Sequence, residues 1–269
     1  MKKLIIPVLA LFFIGCDDAK DAVTEAIEPT ETIEAIQEYA LVNQIFQDIG
    51  NNNGDAILQA EGSSSAKIAA TKNSPEISVT PMDLTTFPKT ITVDFKEGTV
   101  GKDGVTREGI VTIVSTDWYG VEGSTHTATF DGFYHNGYKV EGTQVVENLG
   151  ENEDGFLEYS VDIENGKITA ENDAAIEYTE NSTRTWISGA DTPLNIWDDE
   201  YLLDGTQSGV SSNDIEYELT VEESLHFVLL PRAVKSGVLK LDVGVFNNIK
   251  LDYSAKTITI LGVTYPLEK

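Results

Sequence analysis

Trp197-Asp198-Asp199-Glu200-Tyr201 is the densest place in this chain where aromatic rings and acids stand side by side. Rings offer a stacking platform for a sugar face, and a carboxyl pair can supply one acid and one base. Trp118-Tyr119 and Trp186 would extend such a surface. The candidate ligand surface is therefore Trp118, Tyr119, Trp186, Trp197, Asp198 and Asp199. A plainer reading competes with it: tryptophans at strand ends fill core edges, and Asp-Asp at a turn faces water. No catalytic residue is assigned.

Other chemistry is thin. His126, His135 and His226 lack the H-E-x-x-H spacing of a zinc site, and no cysteine stands near to join them. His126 alternates with Ala128 and Phe130 and is expected on the core side of a strand. His135 adjoins Asn136-Gly137 and is expected in solvent, while His226 lies in the apolar run LHFVLL. There is no G-x-S-x-G elbow, and GKDG at 101–104 lacks the spacing of a phosphate loop. A D-x-[DN]-x-[DN]-G calcium loop is also absent. The expectation is a non-enzymatic protein without metal or cofactor.

Cys16 is the one cysteine in the chain. Before it come Met1-Lys2-Lys3 and an uncharged run from Leu4 to Ile14, the pattern of a signal peptide. That run is far shorter than the roughly 20 residues needed to span a bilayer. Phe13-Ile14-Gly15-Cys16 resembles the lipobox of bacterial lipoproteins, with Phe13 where Leu is usual. The resemblance implies cleavage before Cys16 and a lipid on its thiol, which makes the cysteine an anchor rather than a nucleophile. Each buried CH₂ contributes about 0.8 kcal/mol, so several acyl chains hold a protein on the membrane durably. Asp17 and Asp18 follow at once. They resemble the surface-export signal of Bacteroidetes-type lipoproteins, and equally the inner-membrane retention signal of enterobacteria.

The chain carries 45 Asp+Glu against 18 Lys+Arg, a net charge of −27. That excludes a nucleic-acid binder, which needs a basic footprint, and disfavours lying flat on anionic lipid. Expected partners are the membrane, through the lipid anchor, and a glycan or an envelope protein.

Around these residues the elements follow from periodicity. Residues 1–15 read as the leader and 16–30 as an acidic tether. Residues 31–49 show helical spacing, with Ile33, Ile36, Leu41, Val42, Ile45, Phe46 and Ile49 on one side, bounded by Pro29 and Gly50. NNNG and GSSS make 50–76 read as loop, so 31–76 is expected as helix and loop packed on the main domain. From 77 to 269 the period is two. Ile91, Val93 and Phe95 alternate with Thr92 and Asp94; similar alternation runs through 157–164 and 215–222. Asn136-Gly137 and Asn165-Gly166 each predict a tight hairpin, because Asn-Gly tolerates the positive φ of a type I′ turn. The expected fold is mostly β: an antiparallel meander of about ten to thirteen strands, forming a sandwich or a curved roll, with an N-terminal helix. A weak echo pairs VEGTQ (140–144) with LDGTQ (203–207) and EYSVDIE (158–164) with EYELTVE (216–222).

The stretches TTFPKTITVDF (85–95), GKDGVTREG (101–109), ATFDGFYHNGYKVEGT (128–143), STRTWISG (182–189) and IWDDEYLLDGT (196–206) together resemble a group of Bacteroidetes outer-membrane lipoproteins with no assigned activity. The resemblance spans roughly residues 80 to 269. It carries over no site residue, but it favours Asp17-Asp18 as an export signal and a domain facing outward. Members of that group often hold cysteines in the C-terminal third. This chain has none there.

Overall fold

The computed structural model describes residues 30–63, 67–71, 74–83, 85–101, 104–189, 192, 198–229 and 233–266. Cys16, Asp17, Asp18 and Trp197 lie outside the described residues, as do the leader and all of the 16–30 tether except Thr30.

Among the described residues one helix, α1 (Thr30–Glu61), precedes fifteen strands. They are β1 (Lys67–Ile68), β2 (Glu76–Thr80), β3 (Lys89–Asp94), β4 (Thr99–Val100), β5 (Thr106–Ser115), β6 (Thr125–His135), β7 (Tyr138–Glu151) and β8 (Leu157–Thr169). Then come β9 (Ala175–Ser188), β10 (Glu200–Val210), β11 (Glu216–Val228), β12 (Ala233–Val243), β13 (Phe246–Asp252), β14 (Thr257–Ile260) and β15 (Val263–Pro266). All pair antiparallel in one open sheet whose order follows the chain, except that β4 pairs β5 off the main path. The meander is as expected. A single sheet decides for the curved roll over the sandwich, and the strand count exceeds the expected range partly through the two-residue strands β1 and β4.

Curvature follows from what the helix touches. α1 packs on β2 and β3 near one edge and on β9, β11 and β12 far along the sheet. Phe46 stacks on Tyr178 of β9, with ring centroids 5.3 Å apart, and meets Phe130 of β6 edge-on at 6.4 Å. Strands that far apart in the pairing order reach one helix only if the sheet winds around it. Of the helix side chains beyond Thr30, only Glu31 and Gln59 are exposed. Ala35, Val42, Ile45, Phe46, Ile49 and Ile57 form one core with Ile91, Ile113, Ile163, Ile168 and Leu219 from the sheet.

Two local expectations are corrected. The helix does not stop at Gly50 but runs 32 residues to Glu61, about 48 Å at 1.5 Å per residue. Mid-helix glycine costs about 1 kcal/mol relative to alanine. Burial of Ala56, Ile57 and Ala60, and the bond from Asn53 Nδ2 to Gln144 Oε1 at 3.1 Å, offset it. Asn136-Gly137 does turn the β6–β7 hairpin, with φ of 48° and 84°. Asn165-Gly166, by contrast, lies inside β8 as a bulge: the β7–β8 register shifts between Glu141 and Thr143, and the strand continues.

The echo marks two equivalent stations. Gly142 on β7 and Gly205 on β10 sit at register breaks with φ of 117° and 131°, where a side chain would collide with the neighbouring strand's backbone. Two residues on, Gln144 and Gln207 are both buried and both hydrogen-bond the helix, Gln144 through Asn53 and Gln207 through Tyr39 and Asn43. No helix among the described residues is long and apolar enough to cross a membrane.

Candidate functional site

Strand register places the site. Leu157 on β8 pairs with Trp186 on β9, which pairs with Tyr201 on β10. Two residues along, Tyr159 pairs with Arg184. Side chains two apart on a strand share a face, so Leu157, Tyr159, Arg184 and Trp186 look the same way, toward the helix. Facing them, α1 presents Gly50, Gly54, Leu58 and Glu61, spaced at three and four along one side. Two glycines opposite a row of aromatics leave a cavity of ≈ 420 Å³. Tyr119, Asp199 and Leu229 complete its wall.

Each wall residue is held by a specific neighbour. Asn148, fully buried, donates to the Tyr119 carbonyl at 3.0 Å and to the Tyr159 hydroxyl at 3.4 Å. It thereby fixes the stacked pair Tyr119–Tyr159, whose centroids are 5.0 Å apart. The Arg184 guanidinium donates through Nη2 to Gln47 Oε1 at 2.7 Å and sits 5.3 Å from the Tyr201 ring centroid. Asp199 is tied through its carbonyl to the Leu229 N–H at 3.3 Å. Its Oδ1 lies where a Cβ on Gly189 would come within 1.9 Å, so only glycine fits at that position.

The electrostatics are unusual. Asp199 is 9% exposed, and burial pushes its carboxyl up to about 7; the Trp186 indole N–H opposes the rise, and the charge of Asp198 adds to it. Glu61 is also raised, first by burial, against hydrogen bonding from the Tyr119 backbone and with the Asp117 charge behind it. The Tyr119 and Tyr159 phenols are raised chiefly by burial and stay neutral. Arg184 Nε, Trp186 Nε1 and Asp199 Oδ1 lie buried within the wall, closed off from the cavity, with the Trp186 indole beside the Asp199 carboxyl.

Three of the expected surface residues, Tyr119, Trp186 and Asp199, thus meet at one cavity, lining its wall rather than forming an open row. Trp118 does not join them. It packs edge-on against Phe87 at 5.1 Å, and the two rings flank the buried Lys89, whose Nζ donates to the carbonyls of Pro81 and Asp83. Asp198 is exposed and accepts from Thr192 Oγ1 at 2.9 Å, so the adjacent carboxyls part company. Tyr159, Arg184 and Glu61 were not expected here, and Tyr201 only as the end of the 197–201 cluster. Arg184 was readable as the i−2 neighbour of Trp186 on a strand; Glu61 was hidden by reading its segment as loop.

The histidines divide. His126 is buried as expected, lies between Ser115 and Ser124, and is lowered to about 4 by burial, against the pull of Asp117. His135 is a correction: it is 2% exposed, with Nε2 3.5 Å from Asp48 Oδ2, because the roll folds that hairpin tip onto the helix. His226 is half-buried and pairs with Glu200 at 2.7 Å. Among the described residues, no group of three or more His, Cys, Asp or Glu is arranged to hold a metal ion. No protein-family model, curated protein or solved structure matches this chain.

Proposed function

We propose that the chain is a non-enzymatic, lipid-anchored envelope protein whose β roll binds a small molecule in the cavity beside α1. The observation that carries the binding reading is a space of ≈ 420 Å³ walled by Leu58, Leu157, Leu229 and the rings of Tyr119, Tyr159 and Trp186, with Arg184, Asp199 and Glu61 among its lining. Ligand sites have this build: mostly apolar surface with a few placed polar groups. Anchoring rests on Cys16 behind the uncharged run, and outward display on Asp17-Asp18.

The glycan alternative loses its platform among the described residues, since neither Trp118 nor Trp186 is exposed. For a hydrolase, Asp199 has the raised carboxyl of a general acid, but its neighbour Asp198 faces solvent and cannot serve as the paired base.

The test uses a neutral apolar dye, N-phenyl-1-naphthylamine, whose fluorescence rises on burial. It should light up with the full chain, dim with Gly54→Leu, which fills the cavity, and be unchanged with Trp118→Phe. Equal fluorescence from all three chains would remove the cavity as the site. Cys16→Ser should abolish palmitate labelling; retained labelling would refute the anchor.

A further inference from the structure

We propose that the cavity takes one long hydrocarbon chain of a lipid, laid along α1, while an uncharged or zwitterionic head stays at the mouth. This rests on the cavity being a binding site and adds the chemistry of what enters it.

The hydrocarbon follows from the shape and surface of the wall. Gly50, Gly54, Leu58 and Glu61 run in file along one side of α1, a length of about 16 Å at 1.5 Å per residue. The accessible wall is mostly apolar: Leu58, Leu157, Leu229 and the rings of Tyr119, Tyr159 and Trp186. A dry cavity of about 150 Å³ holds one benzene, so ≈ 420 Å³ corresponds to about 17 carbons. A single chain of that size fills a groove along a helix from end to end. A compact ring system of the same volume would leave the ends of the groove empty.

The polar groups of the lining make no seat for a buried charged head. Arg184 Nη2 donates to Gln47, and the buried Glu180 supplies its counter-charge. The Tyr159 hydroxyl accepts from Asn148. Arg184 Nε, Trp186 Nε1 and Asp199 Oδ1 are closed off within the wall. Asn51 and the Tyr119 phenol are neutral. Glu61 ends the helix beside the Tyr119 backbone, with Asp117 near it, so that end of the groove holds acids.

Three exposed apolar side chains adjoin the wall at the same end. Val121 follows Gly120, Phe156 precedes Leu157, and Leu149 follows Asn148, the residue that holds Tyr119 and Tyr159. The two segments are joined: Gly123 N–H donates to the Asn148 carbonyl at 2.8 Å, and Asn148 N–H to the Ser124 carbonyl at 2.9 Å. Exposed apolar side chains beside an apolar cavity suit a guest drawn from a bilayer. The same segments, 116–124 and 147–158, carry seven acids and no Lys or Arg. They repel an anionic head and attract the outer cation of a phosphocholine.

Titration calorimetry tests this on the full chain with Cys16→Ser, so that no acyl chain of its own competes. Gly54→Leu serves as blank and Leu58→Trp as a second cavity-filling variant. The probes are lysophosphatidylcholines from octanoyl to octadecanoyl and the matching alkanoates, each below its micelle-forming concentration, and the fused-ring hydrocarbon anthracene. Lysophosphatidylcholine should bind about fourfold tighter for each added CH₂ and level off at about 17 carbons, where the cavity is full. The alkanoate of equal length should bind about tenfold more weakly. Affinity that ignores chain length, or anthracene binding tighter than every lysolipid, would overturn the single chain. Alkanoates binding as tightly as lysolipids would overturn the head group and leave the chain. If the filled variants block N-phenyl-1-naphthylamine but no lysolipid binds, the hydrocarbon chain falls and the cavity stands as a site. No difference between the unfilled and both filled chains would overturn the cavity itself. Leu149→Ser with Phe156→Ser should slow uptake of a pyrene-labelled phosphatidylcholine from vesicles about tenfold. Val245→Ser with Leu261→Ser, exposed but beside no wall residue, should not. Equal rates from both pairs would remove the apolar rim from the path.

Discussion

Along one helix, two stretches meet the same sheet and are packed in opposite ways. Around Tyr39, Asn43 and Gln47 the leftover space is ≈ 30 Å³ and the polar tips are paired: Tyr39 and Asn43 both donate to Gln207, and Asn43 also reaches the Tyr178 hydroxyl at 2.9 Å. Three turns later, around Gly50, Gly54 and Leu58, the space is ≈ 420 Å³. Long side chains with polar ends fill the first stretch; glycines empty the second. Close packing is what a core does for stability, and a lined void is what a site needs for a guest. The helix separates the two tasks along its length.

The largest expected break in this comparison comes from emptying the filled stretch. Phe46→Ala removes a fully buried ring stacked on Tyr178 and should cost about 3–5 kcal/mol in chemical denaturation. Leu58→Ala, on the cavity wall, should cost clearly less; equal costs would mean that the two stretches carry stability alike.

Next in size is Asp199→Asn. Because burial raises Asp199 from 3.8 to about 7, the folded chain holds a proton that the unfolded chain has given up. Stability is therefore lost as pH rises from about 4 to about 7, and the loss stays above that range. Denaturation at pH 5 and pH 8 should show the variant gaining on wild type by more than about 1.4 kcal/mol, the worth of a single pKa unit. A constant difference across pH would show Asp199 titrating as an ordinary surface carboxyl.

Tyr39→Phe takes one donor from the paired stretch but leaves Asn43 on Gln207, so the expected loss is about 1 kcal/mol. Smallest, and opposite in sign, is Gly54→Ala. Its Cβ meets only ordinary contacts, and alanine favours helix, so the chain should gain up to about 1 kcal/mol and melt higher. A loss instead would mean that the glycine serves folding rather than the cavity.

What sequence reading missed follows the same division. Period-two alternation placed Ile91, Val93 and Phe95 inside, and helical spacing placed Ile45, Phe46 and Ile49, because burial on one face writes a pattern. Asn-Gly does not say whether a strand turns or bulges, since both demand positive φ; only Gly142 across from Asn165-Gly166 allows the chain to continue. Asn51-Asn52-Asn53-Gly54 reads as loop by propensity, and only tertiary burial keeps it helical. Losing those residues from the helix hid half of the cavity wall. The sheet half was partly visible, through Tyr119, Trp186 and Asp199 as residue types, but their convergence depends on the β8–β9–β10 register, which no single strand states.

The chain-order pairing of the strands has a kinetic consequence. Every hairpin can close locally, so pairing is expected to spread from neighbour to neighbour at little loop-closure cost. The helix is different: it is the first of the described elements, and its partners include β11 and β12, about 170 residues or more downstream of its middle. Until those strands arrive, Tyr39 and its neighbours stay uncovered. Such a chain should begin folding as a series of small steps and finish as one, with commitment set by the closing of the last strands over the first turns.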